Sequence, residues 1–429
     1  MVLFLCTTIK KKKGFVVERL EIDEYRDNWE NIIKTHGLVF SDSLLPDGTV
    51  DHYWQEQAVY EVTVAEAEEI QKATEDCYEM ALETVDFIID ESKDKDSPYR
   101  FSIPREYNFA YEPIMEYVKY SFDEYNNGND NFNEFLGRFD FIYGGEGYGK
   151  PKMLEYNADT PTCLIESSLA QRFWLQELFP DCGQYNYIHE MIIEYFEHLL
   201  EYKGGHASLY GMFSNWDDTG EELMHTSYIL DCAQQAGWDI DITKHLISAE
   251  TVSVKNEHFV DHDGDRMENI FKLYPWEDML IEDFGYFVYS QKQSSWLEPV
   301  WKVLMSTKML PAAMYHLFPD SEYLLESYMD TPHGLESFVK KPLYGREGEN
   351  VEIYLPDESI IKPGDYGAEG YAFQKYCPLP VFEGVKNPVN RALIGSWTVG
   401  GEAAGIGMRE STTYITDYDS RFVPHIIVE

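Results

Sequence analysis

No run of about 18 consecutive apolar residues occurs in this chain, so nothing in it reads as a membrane-spanning helix. Its six cysteines (Cys6, Cys77, Cys163, Cys182, Cys232 and Cys377) form no Cys-x-x-Cys pair. That spacing excludes a local zinc site, and in a chain this large it predicts free thiols in a reducing, cytoplasmic setting. The G-x-S-x-G elbow of hydrolases, the H-E-x-x-H of zinc proteases and the Walker A phosphate loop are missing too. Basic residues are scarce, 34 against 77 acidic ones, for a formal net charge of −43. Such a surface repels nucleic acid and anionic membrane and attracts metal ions and cations such as polyamines; solubilisation is the plainer reading of the same excess.

What is present is a globular composition. Of 429 residues, 44% are hydrophobic and 15% aromatic, enough for two or three domains with sizeable cores. Residues 1–16 (through MVLFLCTTIKKKKG) place apolar residues before lysines, the reverse of a secretory signal, and read as a tail of unknown purpose. Residues 17–125 read as a mainly helical lead-in, dominated by a helix from Thr63, where Thr63 and Glu66 are spaced as a capping box. Residues 126–205 carry a hairpin and further helices, near 163–179 and 186–202. Residues 206–300 alternate strand and helix as in an α/β layer, with HASLYGMF as a buried strand, NWDDTGEE as an acidic loop and Gly237 as a C-cap. Residues 301–429 begin with an amphipathic helical stretch interrupted near Pro311. They then turn β-rich, from SFVKKPLY through NRALIGSWTVGG and EAAGIGMRE to TTYITDY. Asp261-His262-Asp263-Gly264-Asp265 has its glycine misplaced for a calcium loop and no closing glutamate.

Four polar residues carry the chemistry. Arg138 and Asp140 lie in GRFDFIYG, and Glu155 and Asn157 in KMLEYNADT, on either side of the turn-rich stretch Gly144–Pro151. The pattern predicts a β-hairpin with Asp140 across from Glu155 and Arg138 across from Asn157. Side chains two apart share a strand face, so all four project the same way. Facing carboxylates need a proton or cation between them, and Mg²⁺ takes carboxylate and amide oxygens with phosphates completing its shell. An arginine beside them suits a phosphoryl group in transfer. The alternative is an exposed hairpin with scattered charges. Further on, FVKKPLYGREGENV places lysine at the end of a strand before Gly345-Arg346-Glu347-Gly348, whose glycines let backbone N–H groups approach phosphate; a simple turn is the alternative. Lys308 adds a second lysine from a separate element. Together these parts fit nucleotide-driven phosphoryl transfer.

In order along the chain, RFD (138–140), LEYNADTPT (154–162), EE (221–222), KLYPWE (272–277), EPVWKVLMSTKMLP (298–311), VKKPLYGREG (339–348), IGSWTVGG (394–401) and GIGMRE (405–410) resemble the synthetase domain of the glutathionylspermidine synthase family. The resemblance implies an α+β, permuted ATP-grasp fold, in which the metal-binding hairpin precedes the ATP lysines, joined to a pre-ATP-grasp α/β layer. It implies ATP and Mg²⁺, with Asp140, Glu155 and Asn157 as metal ligands. Arg138 and Arg409 would face the transferring phosphate. ATP would also meet Phe139, Asp140, Lys308, Lys341, Gly345, Gly348, the adenine hinge Gln374, Lys375 and Tyr376, and Tyr414, Ile415 and Thr416. On the substrate side it implies Thr160, Thr162, Glu222 and Asp278 toward glutathione and Glu221 toward spermidine. Asp278 replaces a small hydroxyl residue of the family, and Ala-Asp-Thr-Pro-Thr after Asn157 is the pattern of the stand-alone branch, without the amidase domain of bifunctional members. The implied reaction joins a peptide-like acid to an amine through an acyl phosphate. The alternatives are a non-catalytic ATP- or polyamine-binding protein and a kinase acting on a small acid.

Overall fold

The computed structural model describes residues 17–39, 42–44, 50–214, 220–417 and 420–429. The N-terminal tail 1–16 and most of the acidic loop NWDDTGEE, at 215–219, lie outside the described residues. The fold mixes helices with several sheets.

A central antiparallel sheet runs in the order Arg421–Val423, Glu402–Ser411, Asn390–Val399, Leu136–Ile142, Lys152–Asn157, with Val381–Phe382 pairing off Asn390–Val399. Its two faces have different tasks, because side chains alternate along each strand. One face turns Phe139, Tyr156 and Ser396 inward, with Phe139 stacked on Tyr156 at 3.9 Å between centroids. It packs against the helix Val64–Glu91, where Thr74 meets Ser396 Oγ at 2.7 Å. That helix buries Ile70, Ala73, Cys77, Ala81, Val85 and Ile88 at helical spacing. Its start is fixed as the sequence predicts: Glu66 N donates to Thr63 Oγ1, and Thr63 N donates to Glu66 Oε2. The opposite face carries Arg138 and Asp140.

A second antiparallel sheet runs Ser327–Tyr328, Tyr371–Lys375, Phe338–Pro342, Glu352–Tyr354, Ser359–Ile361. A third is all parallel: Ser295–Leu297, Asn269–Leu273, Tyr210–Phe213, Leu246–Ser248. Its crossover helix Glu221–Gln235 ends at Gly237, whose φ of +96° is the left-handed turn expected of the C-cap.

Several expectations need correction. Residues 17–125 carry strands beside their helices: Glu18–Glu21 pairs with Ala58–Thr63, and Ala58–Thr63 pairs in parallel with the C-terminal His425–Val428. Residues 412–417 of TTYITDY form no strand, and position 418 lies outside the described residues. Pro311 does not interrupt its helix. It sits in the first turn of Met309–Leu317, where a missing N–H costs nothing. The break falls at Thr307–Lys308, and Lys308 N donates to Leu343 O at 3.0 Å, tying the turn to the second sheet. Among the described residues Cys77, Cys163, Cys232 and Cys377 are free thiols. No helix among the described residues is long and apolar enough to cross a membrane.

Candidate active site

The hairpin strands pair Arg138 with Asn157 and Asp140 with Glu155, as alternation predicts, with a register shift just beyond Asp140. Arg138 Nε donates to Asp140 Oδ1 at 2.7 Å, and its other nitrogens reach Asp140 Oδ2 and the carbonyl of Thr162. Both side chains are less than a tenth exposed. Asn157 donates its amide nitrogen to Arg138 O at 3.4 Å, so Oδ1 is the end open to a cation.

Space for this arrangement comes from glycine. Gly395 sits across the sheet from Asp140, and the Arg138 side chain lies over it: a Cβ there would stand 2.8 Å from Arg138 Cδ. Gly395→Ala is therefore expected to push the guanidinium off Asp140 and lower turnover about 100-fold, the cost of a misplacement near 1 Å. Steady-state rates with the fold monitored by circular dichroism check this.

Lysines arrive from two other elements. Lys308, at the turn before Met309–Leu317, places Nζ 3.3 Å from Glu155 Oε2. In the second sheet Lys340 and Lys341 alternate: Lys340 turns to Glu352 at 2.8 Å, and Lys341 turns inward. Lys341 Nζ donates to Gln374 Oε1 at 2.8 Å and to Leu154 O at 3.1 Å. Burial pushes the Lys341 ammonium down to about 8 although Glu155 holds it up, with Lys308 adding repulsion. Burial alone would raise Glu155, but Lys308, Lys341 and Arg138 outweigh it and hold the carboxyl at about 2.

These groups share one cavity of about 600 Å³ between the central sheet, the second sheet and the parallel layer. It is lined by Arg138, Asp140, Glu155, Asn157, Lys308, Lys341, Gly345, Gly348, Lys375, Tyr376, Arg409, Tyr414, Ile415 and Thr416. Thr160, Thr162, Glu221 and Glu222 also line it, with Glu222 Oε2 accepting from Ser214 N at 2.8 Å. Val339, Val351, Ile353, Leu379 and Leu393 give one part of the wall an apolar character suited to a planar base.

Three expected residues stand elsewhere. Phe139 is fully buried under the helix Val64–Glu91 and does not reach the cavity; the alternation that aims Arg138 and Asp140 at it aims Phe139 away. Gln374 acts behind Lys341 rather than on the wall. The backbone N–H groups of Lys375 and Tyr376 donate to Glu326 O and Ser337 O. Asp278 does not line the cavity. Its neighbour Glu277 does and pairs with Arg346 at 2.8 Å. Burial, with Glu277 beside it, pushes the Asp278 carboxyl up to about 6.

Sequence reasoning missed Tyr53, Cys163, Glu277, Cys377, Asp417 and Ser420 on the wall. Glu277 was legible as the last residue of KLYPWE. Tyr53 carried no local signal, because tertiary packing brings its segment in: Gln55 N donates to Phe422 O, and Trp54 stacks on Phe422.

The family description "Glutathionylspermidine synthase preATP-grasp" matches residues 20–428. The chain belongs to this family. A Haemophilus influenzae protein named "Putative acid--amine ligase" is 34% identical over 90% of this chain and 93% of its own length. A trypanothione synthetase of Crithidia fasciculata is 26% identical over 67% of this chain, and a glutathionylspermidine synthase of the same organism is 24% identical over 68%. The chain spans about half the length of these two, 46% and 49%. The named relatives are ligases. Among solved structures, a glutathione synthetase-like effector from Globodera pallida in its apo form is 10% identical, covers 94% of this chain and 96% of its own, and has a TM-score of 0.51. That likeness concerns the fold alone.

Proposed function

We infer that this chain is an ATP-dependent carboxylate–amine ligase of permuted ATP-grasp architecture, acting on a peptide-like acid and an amine or polyamine. The observation that carries the reading is the convergence, on one cavity, of the hairpin quartet with Lys308 and Lys341 from two other elements. Naming of the relatives as acid–amine ligases and glutathionylspermidine or trypanothione synthetases supports it.

Asp140, Glu155 and Asn157 fit Mg²⁺ by their chemistry. They offer hard oxygen donors in register on adjacent strands, and no group of three or more His, Cys, Asp or Glu among the described residues forms an all-protein cage. Two carboxylates and an amide are the partial set that a Mg²⁺ ion shared with phosphates takes. When bound, the ion would neutralise phosphate charge and polarise the transferring group.

The chain's own groups do the rest. Lys308 and Lys341 hold phosphate oxygens, and Arg138 and Arg409 meet the charge on the γ-phosphoryl as it passes to the acid's carboxylate. Gly345 and Gly348 bring backbone N–H groups close. Glu221 provides negative charge for a cationic amine, and Glu222, whose Oε2 accepts from Ser214 N, stands toward the acid. The amine then attacks the acyl phosphate, an amide forms and phosphate leaves, with no covalent enzyme intermediate.

ADP release from the purified protein is expected to require both an acid and an amine. A broad panel giving ATP binding without ADP would establish a nucleotide-binding protein instead. Because Lys341 carries its charge only below about 8, kcat/KM for ATP is expected to hold at neutral pH. It then falls by about tenfold per pH unit above 8, since this parameter reports free-enzyme ionisations. A profile flat to pH 9.5 would remove Lys341 from ATP binding.

A further inference from the structure

Beside the residues assigned to phosphate lies a carboxyl that this mechanism does not use. The Glu166 side chain is fully buried, and its Oε1 accepts a hydrogen bond from Tyr53 Oη at 2.6 Å. Its Oε2 has no hydrogen-bond partner among the described residues; His225 Nε2 is 4.0 Å away. A buried carboxyl with an unmatched oxygen is costly to keep for structure alone. Tyr53 connects it to the site. It lines the cavity, and Cys163 Sγ is 3.5 Å from its hydroxyl. Cys163 directly follows Thr162, whose carbonyl Arg138 grips.

The ligase reaction leaves a proton unaccounted for. An alkylamine arrives at neutral pH as an ammonium, which has no lone pair. It must lose one proton before attack and a second as the tetrahedral adduct collapses.

We propose that Tyr53 and Glu166 form a relay that takes the first of these protons, Tyr53 touching the ammonium and Glu166 accepting through it. This rests on the ligase reading. As the ammonium proton passes to Tyr53 Oη, the tyrosine proton passes to Glu166 Oε1, so tyrosine stays neutral and the carboxylate becomes a carboxylic acid. The freed amine forms the C–N bond, the C–O bond to phosphate breaks, and the departing phosphate takes the second proton. Glu166 later returns its proton to solvent through Tyr53.

The surroundings suit an acceptor that gains a proton. Burial pushes the Glu166 carboxyl up, opposed by the Tyr53 hydrogen bond and by the charges of Arg409 and Arg138. Burial pushes Tyr53 up as well, with Cys163, Glu166 and Glu221 adding to it, so its hydroxyl is a carrier rather than a phenolate. Tyr53, Cys163, His225, Arg138 and Arg409 are the titratable and charged groups facing Glu166.

The test compares two nucleophiles on one acyl phosphate. Hydroxylamine is neutral at pH 7 and needs no prior deprotonation; spermidine is cationic. Wild type, Glu166→Gln and Tyr53→Phe are assayed with ATP–Mg²⁺ and a panel of peptide acids beginning with glutathione, with hydroxamate and amide measured in parallel. In both variants the amide-to-hydroxamate ratio is expected to fall about 100-fold at pH 7, the contribution usual for general-base catalysis, and to recover as pH approaches the amine's own pKa. An unchanged ratio overturns the relay, whether the two products fall together or neither falls. The ratio does not depend on the fraction folded, and Glu166→Gln, which preserves shape, decides if Tyr53→Phe does not fold. Wild type yielding neither product with any acid overturns the ligase reading, and the relay with it.

Discussion

Arg138→Ala is expected to lower kcat by about 10³-fold, the low end of what an arginine supplies to phosphoryl transfer, with ATP affinity changed only a few-fold. The guanidinium is held from two sides, by the Asp140 carboxylate and the Thr162 carbonyl, and it lies over Gly395. A side chain fixed this way needs no reorganisation as charge develops on the transferring phosphoryl, which is what makes such a group effective. On the proposed reading ATP is held by Lys308 and Lys341 from separate elements, so binding should survive the loss. Removal also leaves Asp140 without its partner in a site less than a tenth exposed, and stability should fall as well. Arg138→Lys separates the two effects: the charge stays and the forked geometry goes. Stability near wild type with turnover still severely reduced is the expected result, read by chemical denaturation and single-turnover ADP formation.

Lys302→Met is expected to give the largest loss of stability, about 3–5 kcal/mol, because it strips one partner from a buried ion pair. Lys302 Nζ donates to Glu298 Oε2 at 2.7 Å and to Leu136 O at 2.6 Å. The Glu298 oxygens also accept from Phe135 N and Leu136 N, at 2.8 and 2.7 Å. Both side chains are essentially inaccessible. The pair therefore clamps the first residues of the strand that bears Arg138 and Asp140. Burial raises Glu298, with Lys302 opposing it, so the lone carboxyl of the variant should take a proton. The denaturation midpoint should accordingly recover in part as pH is lowered toward 5, a direction opposite to ordinary acid destabilisation. Double replacement of Glu298 and Lys302 by apolar residues should cost less than Lys302→Met alone.

The site was legible where the pattern was local. Period-two alternation places Arg138, Asp140, Glu155 and Asn157 on one face, and the hairpin has that register. Applied without exception, the same rule sends Phe139 to the helix-packed face, where it lies. Lys341 rather than Lys340 faces inward for the same reason, but which parity is inward depends on where the second sheet packs, a tertiary matter. Pro311 misled because a proline in a helix's first turn is tolerated, whereas one further in is not. The pairing of Ala58–Thr63 with His425–Val428, residues from opposite ends of the chain, has no local signature. Tyr53 enters the cavity through long-range packing on Phe422, so its hydrogen bond to Glu166 becomes visible only in three dimensions.

The central claim is that a carboxylate is activated by phosphorylation, and oxygen transfer tests it most directly. An acid that supports turnover is labelled with ¹⁸O in its carboxylate and converted with ATP and an amine, and the released phosphate is examined by mass spectrometry. Activation through an acyl phosphate moves one carboxylate oxygen into each phosphate released, so labelled phosphate should accumulate in step with amide. Unlabelled phosphate alongside amide formation would contradict the account.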